Sequence, residues 1–183
     1  VMTPENFDIT KNRGFDLYGM RPRHRRRAQR MEPEDLVLIY VNKIRKWTAI
    51  TKITSKYFEG DEAIWKYPVK NTGSKKDAFP YRIKMKPTIV LPEQDYIDAR
   101  IIGPTLEYVK RWAPEQWPLA FMDALHLIPQ ADFRLIENEM NKLVTGKPGQ
   151  RIRLRNGKNR SNQRGNRPTR RDNFKPNREQ NSV

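Results

Sequence analysis

The sequence predicts a mixed α+β domain at residues 1–145, followed by a basic tail at residues 146–183, and three observations lead to this division. The first part contains helix-start signals and short apolar or alternating segments that are typical of strands. The second part holds 12 Lys and Arg against two Asp and Glu, so it carries +10 of the net charge of +16. From residue 150 onward it consists almost wholly of Arg, Asn, Gly, Gln, Pro and Ser, with Phe174 as its only aromatic residue.

Local patterns predict where the helices and strands of the domain lie. Thr3-Pro4-Glu5 combines a capping residue, an early proline and an early acid, so a helix should begin there, and Gly14 can end it. Val1-Met2 is typical of a strand that runs into this helix, so we expect a truncated start. We expect strands at Leu36–Val41, Trp47–Ile53 and Tyr81–Lys86, a turn at 42–46, an exposed loop at 66–79, and late helices at Pro114–Leu125 and Ala131–Val144.

The basic tail lacks the apolar side chains that a folded core needs. We therefore expect it to be disordered in isolation, because burial cannot offset its chain entropy. Arginines interleaved with Gly, Asn and Pro are typical of arms that follow phosphate backbones, although a solubilising tail without a specific partner is the alternative. The tail residues expected to contact phosphate are Arg164, Arg167, Arg170 and Arg171.

The composition excludes several classes of function. The chain has no cysteine, which rules out disulfides, thiolate metal ligands and cysteine nucleophiles. No segment reaches the roughly 18 apolar residues of a membrane-spanning helix, and no signal peptide is recognisable. We therefore expect no membrane partner and an intracellular location, in the cytoplasm or associated with nucleic acid.

The titratable residues predict no catalytic site. Only two histidines are present: His24 lies among arginines whose charge should lower its pKa, and His126 is expected to be structural. No metal-ligand cluster, phosphate-binding glycine loop or nucleophile–base pair is recognisable. The sequence therefore predicts no catalytic residue, no metal and no cofactor.

Three ordered groups of residues resemble a known family: Thr3–Phe7 with Gly14–Met20, Arg23–Ala28 with Met31–Val41, and Ala49–Phe58 with Ile64-Trp65 and Phe79–Ile83. Their order and spacing resemble the EVE domain, a member of the PUA-like superfamily that is related to the YTH domain. The resemblance covers residues 1–144 and leaves the tail outside. It implies a strongly bent β-barrel with packed helices and a pocket in one side.

The resemblance also implies that this pocket binds one modified base. By position, Tyr18 and Trp65 match two aromatic walls that hold the base between them, Asn6 matches an amide that faces the base edge, and Gly19 allows close backbone approach. A stacked base gains about 1–3 kcal/mol per aromatic ring, and an amide can both donate and accept. Relatives usually carry Trp at the position of Tyr18, whose smaller ring adds a hydroxyl that needs a partner. The alternative for each residue is ordinary packing, which is also the role expected for Trp47, Trp112 and Trp117.

The segment 21–30 contains six arginines and one histidine, a composition that the family commonly shows here. Arginine binds phosphate with two parallel hydrogen bonds, so we expect a phosphate-binding surface at the pocket rim. A solvated face without a ligand is the alternative. The residues expected to contact phosphate are Arg21, Arg23, His24, Arg25, Arg26, Arg27 and Arg30.

Together these observations predict a non-enzymatic module that binds a modified base in DNA or RNA. The first alternative is a general RNA-binding or ribonucleoprotein-associated protein without base selectivity. The second is a hydrolase, because the related ASCH branch of the superfamily contains some. Dependence on base modification separates the first two functions, and turnover of a nucleotide would identify the third.

Overall fold

A single antiparallel sheet with helices packed around it forms the described part of the chain. The computed structural model describes residues 1–65 and 78–146, and these residues belong to one compact unit. Most of the expected loop at 66–79 lies outside the described residues. The tail from residue 147 also lies outside them, including Arg164, Arg167, Arg170 and Arg171.

Helices and strands alternate irregularly along the described residues. The helices are α1 (Pro4–Asn12), α2 (Arg25–Ala28), α3 (Ala99–Ile102) and α4 (Gln130–Thr145). The strands are β1 (Leu17–Met20), β2 (Leu36–Val41), β3 (Lys46–Ile53), β4 (Phe58–Glu59), β5 (Tyr81–Val90) and β6 (Ile97–Asp98). Short 3-10 helices lie at Pro22–His24, Glu93–Asp95, Gly103–Thr105, Glu107–Val109 and Pro114–Phe121.

The sheet is open, so the expected β-barrel is wrong. Its order is β1-β5-β3-β2, with β4 beside β5 and β6 beside β3, and β1 and β2 lie at opposite ends without pairing in the described chain. The start of the chain pairs with the end of β2. Met2 N donates to Tyr40 O at 3.0 Å, and Asn42 N donates to Met2 O at 3.1 Å.

Strand β5 joins the two halves of the sheet. Its first residues pair with β1, and its later residues pair with β3. Pro87 lies inside this strand opposite Thr51, next to a register shift between Ile50 and Thr51. A proline has no N–H for the ladder, and an irregularity of this kind is where a strand tolerates it.

The local predictions for the first helix and the hairpin are confirmed. Thr3 caps α1, since its Oγ1 accepts from Asn6 N at 3.3 Å, and Gly14 follows the helix with a φ of 71°. Strand β2 has the expected bounds, and β3 begins one residue early. The late helix expected at Pro114–Leu125 is a 3-10 helix that ends at Phe121, with Pro118 inside it.

The core lies between the sheet and the helical segments that follow β6. Trp47 is 1% exposed, and its ring and that of Phe121 both pack on Tyr40. Trp117 is buried and Trp112 is half-buried, so the packing roles expected for Trp47 and Trp117 are confirmed. None of the helices in residues 1–65 and 78–146 has the length and apolar character that crossing a bilayer requires.

Candidate functional site

A small cavity of about 130 Å³ opens where the start of α1, strand β1 and the segment 122–124 meet. Asn6, Tyr18, Gly19 and Trp65 all line it, so the structure brings together the four residues that the sequence placed in one pocket. We call this cavity the Asn6 pocket. Its rim is partly basic, because Arg21 and Arg23 line it as well, and it also includes Phe79, Asn42 and Met122.

The aromatic walls of the Asn6 pocket meet edge to face. The ring centroids of Tyr18 and Trp65 are 5.1 Å apart with an interplanar angle of 82°, and those of Trp65 and Phe79 are 5.0 Å apart at 78°. The rings therefore contact one another and form a corner. This differs from the expected arrangement, in which a base lies between the faces of Tyr18 and Trp65. In this conformation a flat ligand can stack on one ring and meet the edge of the other.

Hydrogen bonds fix the two wall residues in place. Trp65 Nε1 donates to Thr10 Oγ1 at 2.9 Å, and Thr10 Oγ1 donates to Asn6 O at 2.8 Å. The Tyr18 hydroxyl donates to Ala124 O at 3.1 Å, which supplies the partner that its burial demands. Burial, assisted by the negative charge of Asp123, raises the pKa of Tyr18, so its hydroxyl stays protonated at neutral pH.

Asn6 lines the pocket and carries a buried acceptor. Its side chain is 6% exposed, and its Oδ1 accepts no hydrogen bond from any residue that the structure describes. The helix cap does not use it, since Thr3 accepts from the Asn6 N–H and Thr10 bonds the Asn6 carbonyl. A buried acceptor without a partner costs about 1–3 kcal/mol. A hydrogen-bond donor that reached this atom would offset that cost.

Gly19 serves the packing of the pocket wall. A Cβ atom at this position would lie 2.4 Å from Ile64 Cδ1 and 2.9 Å from Phe79 Cβ. The expected reason for this glycine was close backbone approach to a base. The structure shows that its missing side chain makes room for Ile64 and Phe79 of the same chain.

The arginines of segment 21–30 spread over several surroundings. Arg23 Nη2 lies 2.5 Å from Asp123 Oδ1, and Arg27 Nη1 lies 3.4 Å from Asp123 Oδ2. Arg21 packs over the ring of Phe79 at the pocket rim. The remaining three arginines are exposed: Arg25, Arg26 and Arg30. Of these, Arg25 packs over the ring of Tyr81.

His24 is not part of this exposed surface, which contradicts its expected contact with phosphate. Its side chain is buried, and its Nε2 lies 3.1 Å from Arg23 Nε and 3.2 Å from Asp123 Oδ1. Burial is the main cause that lowers the pKa of His24; Arg23 and Arg27 act in the same direction, and Asp123 opposes them. His24 therefore accepts the hydrogen bond from Arg23 as a neutral ring.

Asp123 is the residue of the candidate site that no sequence pattern singled out. Partial burial alone raises the pKa of Asp123, but the hydrogen bond from Ala124 N–H and the neighbouring His24 and Arg23 lower it by more. The net pKa is therefore below its usual value, and the carboxylate is ionised at neutral pH. It lies 100 residues along the chain from Arg23. The one available signal was that so dense an arginine run needs an acidic partner, and this does not say which acid. Among the described residues, no three His, Asp or Glu side chains are grouped to hold a metal ion.

Comparisons with known proteins place the fold. No family model and no curated protein sequence matches the chain, so the EVE resemblance gains no family match. Among solved structures it is similar to a YTH domain. That structure is the YTH domain of the Zygosaccharomyces rouxii MRB1 protein, in complex with N6-methyladenosine RNA. The match has a TM-score of 0.50 and 14% sequence identity and covers 74% of this chain and 79% of that chain. The chain therefore has a YTH-like fold.

Proposed function

We propose that this protein is a non-enzymatic reader of a methylated base in single-stranded nucleic acid, with N6-methyladenine in RNA as the first candidate. The observation that carries the proposal is that Asn6, which lines an aromatic-walled cavity, has a buried Oδ1 without a partner among the described residues. The YTH-like fold and the RNA in the complex of the similar structure support it.

The chemistry of the Asn6 pocket suits one flat base with a donor on its edge. N6-methyladenine keeps one N–H on its exocyclic nitrogen, which can donate to Asn6 Oδ1, while its methyl group contacts an aromatic wall. The cavity volume of about 130 Å³ lies below the roughly 300–1,000 Å³ of sites for drug-sized ligands, so it favours a single base. Extruding a base from a duplex costs a few kcal/mol, which favours a single strand as target.

The rim of the pocket favours a polyanion. Arg21 and Arg23 line it, and the full chain carries a net charge of +16. Each phosphate that an arginine neutralises releases counterions, so binding should weaken as salt increases. Selectivity for the base, which depends on the buried contacts, should persist at higher salt.

A general RNA-binding protein is the second candidate, and one observation favours it. The rings of Tyr18 and Trp65 contact each other, so no slot for a base is open between their faces. If these rings fill the pocket permanently, binding depends on the arginines alone and ignores base modification.

The test measures affinity of the full chain for three otherwise identical single-stranded RNAs, at two salt concentrations. Their central base is adenine, N6-methyladenine or N6,N6-dimethyladenine. We expect about tenfold preference for the monomethylated strand over the other two. The methyl group gains aromatic contact that adenine lacks, and the dimethylated base has no N–H for Asn6.

Two substitutions separate the parts of the pocket. Asn6→Leu should leave the fold intact, since it removes a buried acceptor without a partner, and should abolish the preference over the dimethylated strand. Trp65→Phe should weaken the preference over unmodified adenine, because the ring is smaller. Asn138→Leu, at an exposed position of α4, is the matched control. It should change neither the preference over the dimethylated strand nor the preference over unmodified adenine. Equal affinity of the parent protein for all three strands would favour the general RNA-binding protein.

A further inference from the structure

A second and larger cavity lies beside the Asn6 pocket. It has a volume of about 450 Å³, and its lining includes Tyr108, Arg111, Trp112, Met122 and His126. We call it the Trp112 groove. The sequence predicted only packing roles for its Trp and its His.

Arg111 covers the aromatic rings of the groove with its guanidinium group. Its Cζ lies 5.4 Å from the ring centroid of Tyr108 and 5.2 Å from that of Trp112. The side chain is exposed and forms no ion pair with any residue in 1–65 or 78–146. A planar cation held on aromatic rings presents its outer face to a ligand, and nucleic-acid bases stack on such arginine planes.

Hydrogen bonds hold the floor of the groove before any ligand binds. Tyr108 N donates to Asp132 Oδ2 at 2.8 Å, which fixes the backbone beneath the ring. His126 Nε2 faces Asp123 O at 2.7 Å and must donate to that carbonyl, so His126 Nδ1 accepts from the Tyr108 hydroxyl at 2.7 Å. Burial is the main cause that lowers the pKa of His126, so this neutral pairing persists at neutral pH. The groove is therefore preorganised.

The segment 122–127 separates the two cavities. Met122, which is 73% exposed, lines both of them, whereas Ala124 lines only the Asn6 pocket and Leu125 and His126 line only the groove. Arg27 stands at the same partition, since its Nη1 donates to Leu125 O at 2.5 Å. A strand whose base occupies the Asn6 pocket can therefore pass over Met122 and place its next base in the groove.

From this geometry we infer that the Trp112 groove binds the nucleotide adjacent to the one in the Asn6 pocket, with its base stacked on Arg111. The inference rests on the proposed function for the choice of strand. A nucleic acid is favoured over an apolar peptide because a cation covers the aromatic rings and because the full chain carries +16. The groove then adds affinity and a second contact along the strand.

The test uses the full chain and single-stranded RNA trinucleotides with N6-methyladenine at the centre. Each flanking position is replaced in turn by an abasic residue, which keeps the phosphate and removes the base. For one of the two flanks, Arg111→Ala should weaken binding of the intact strand about tenfold and leave binding of the abasic strand unchanged. Arg134→Ala is the charge-matched control, because Arg134 is exposed on α4 and lines neither cavity, and it should affect both strands equally and by less than about twofold.

Arg111→Lys tests whether stacking or charge is responsible. Lysine keeps the charge and loses the plane, so the tenfold loss should remain, whereas full recovery of binding by lysine overturns the stacking proposal. Trp112→Ala, which removes the support beneath Arg111, should give a loss of the same size for the intact strand.

The same strands distinguish failure of this proposal from failure of the proposed function. The monomethylated strand could be preferred while the Arg111→Ala variant and the parent bind both the intact and the abasic strands with equal affinity. The groove is then not a base site, and the proposal is overturned. If the dependence on Arg111 and on one flanking base is found without any methyl preference, the groove is supported and the proposed function fails.

Discussion

The Asn6 pocket and the Trp112 groove lie on two sides of one wall but are built in opposite ways. In the pocket the rings of Tyr18 and Trp65 are buried and point their polar groups into the protein, and the acceptor of Asn6 has no described partner. In the groove the aromatic rings lie under an exposed arginine, and the large apolar side chain of Leu127 is exposed to solvent.

In the proposed function, the Asn6 pocket supplies selectivity for the base and the Trp112 groove supplies affinity for the strand. This proposed selectivity comes at a cost to folding stability, because a buried acceptor is satisfied only by a ligand with a donor at the right place. An exposed stacking surface accepts any base and costs the fold little. Substitutions should therefore affect stability strongly in the pocket wall and weakly in the groove.

The largest expected effect concerns the pocket wall at Gly19. Gly19→Ala places a Cβ within 3 Å of Ile64 and Phe79 side-chain atoms, so we expect a loss of about 1–3 kcal/mol in unfolding free energy. Leu119→Ala in the groove, at a position that is 47% exposed, should cost about 0.5 kcal/mol or less. Urea denaturation of both variants measures this contrast. Equal stability of Gly19→Ala and the parent would mean that Ile64 and Phe79 adapt, and the wall would then not be rigid.

The sequence predicted the local structure of the pocket better than its surroundings. Thr3 at the cap of α1 and the apolar run of β2 follow from short patterns, which act over a few residues. The grouping of Asn6, Tyr18 and Trp65 followed from the family resemblance, because no short pattern links residues so far apart in the chain.

The features that were missed all depend on long-range contacts. Met2 pairs with the end of β2 through hydrogen bonds with Tyr40 and Asn42. Asp123 reaches Arg23 and Arg27 across about a hundred residues, and neither partner shows a pattern that names the other. The groove was missed because Trp112 has the sequence context of an ordinary packing residue, and only the fold brings Arg111 over its ring.

A smaller effect is expected at Asp123, which lines the Trp112 groove and pairs with Arg23 at the rim of the Asn6 pocket. Asp123→Asn keeps an acceptor for Ala124 N–H but releases Arg23 and Arg27 for phosphate. We expect affinity for unmodified single-stranded RNA to rise by about two- to fivefold at low salt. The slope of log K against log salt should steepen by up to about 1.4, which is about 0.7 for each added phosphate contact. Asp8→Asn, an exposed position on α1, is the control of equal charge change and should leave the salt slope almost unaltered.

The smallest expected contrast is the difference between two histidine variants in the pH dependence of stability, with His24 beside Arg23 and His126 in the Trp112 groove. The pKa values of His24 and His126 are both lowered in the folded chain, chiefly by burial, so the unfolded chain binds more protons near pH 6. The unfolding free energy should therefore be highest above the unfolded pKa of about 6.5 and fall as the pH drops from about 7.5 to 5.5, by at most about 1.4 kcal/mol per pH unit for each proton.

His24→Gln should flatten this fall more than His126→Gln, because His24 is buried and His126 is half-buried. Urea denaturation at three pH values measures it. If His24→Gln and the parent lose stability in parallel, His24 accepts its proton in the folded state and is stabilised there by Asp123, and the neutral ring assigned to it beside Arg23 is wrong.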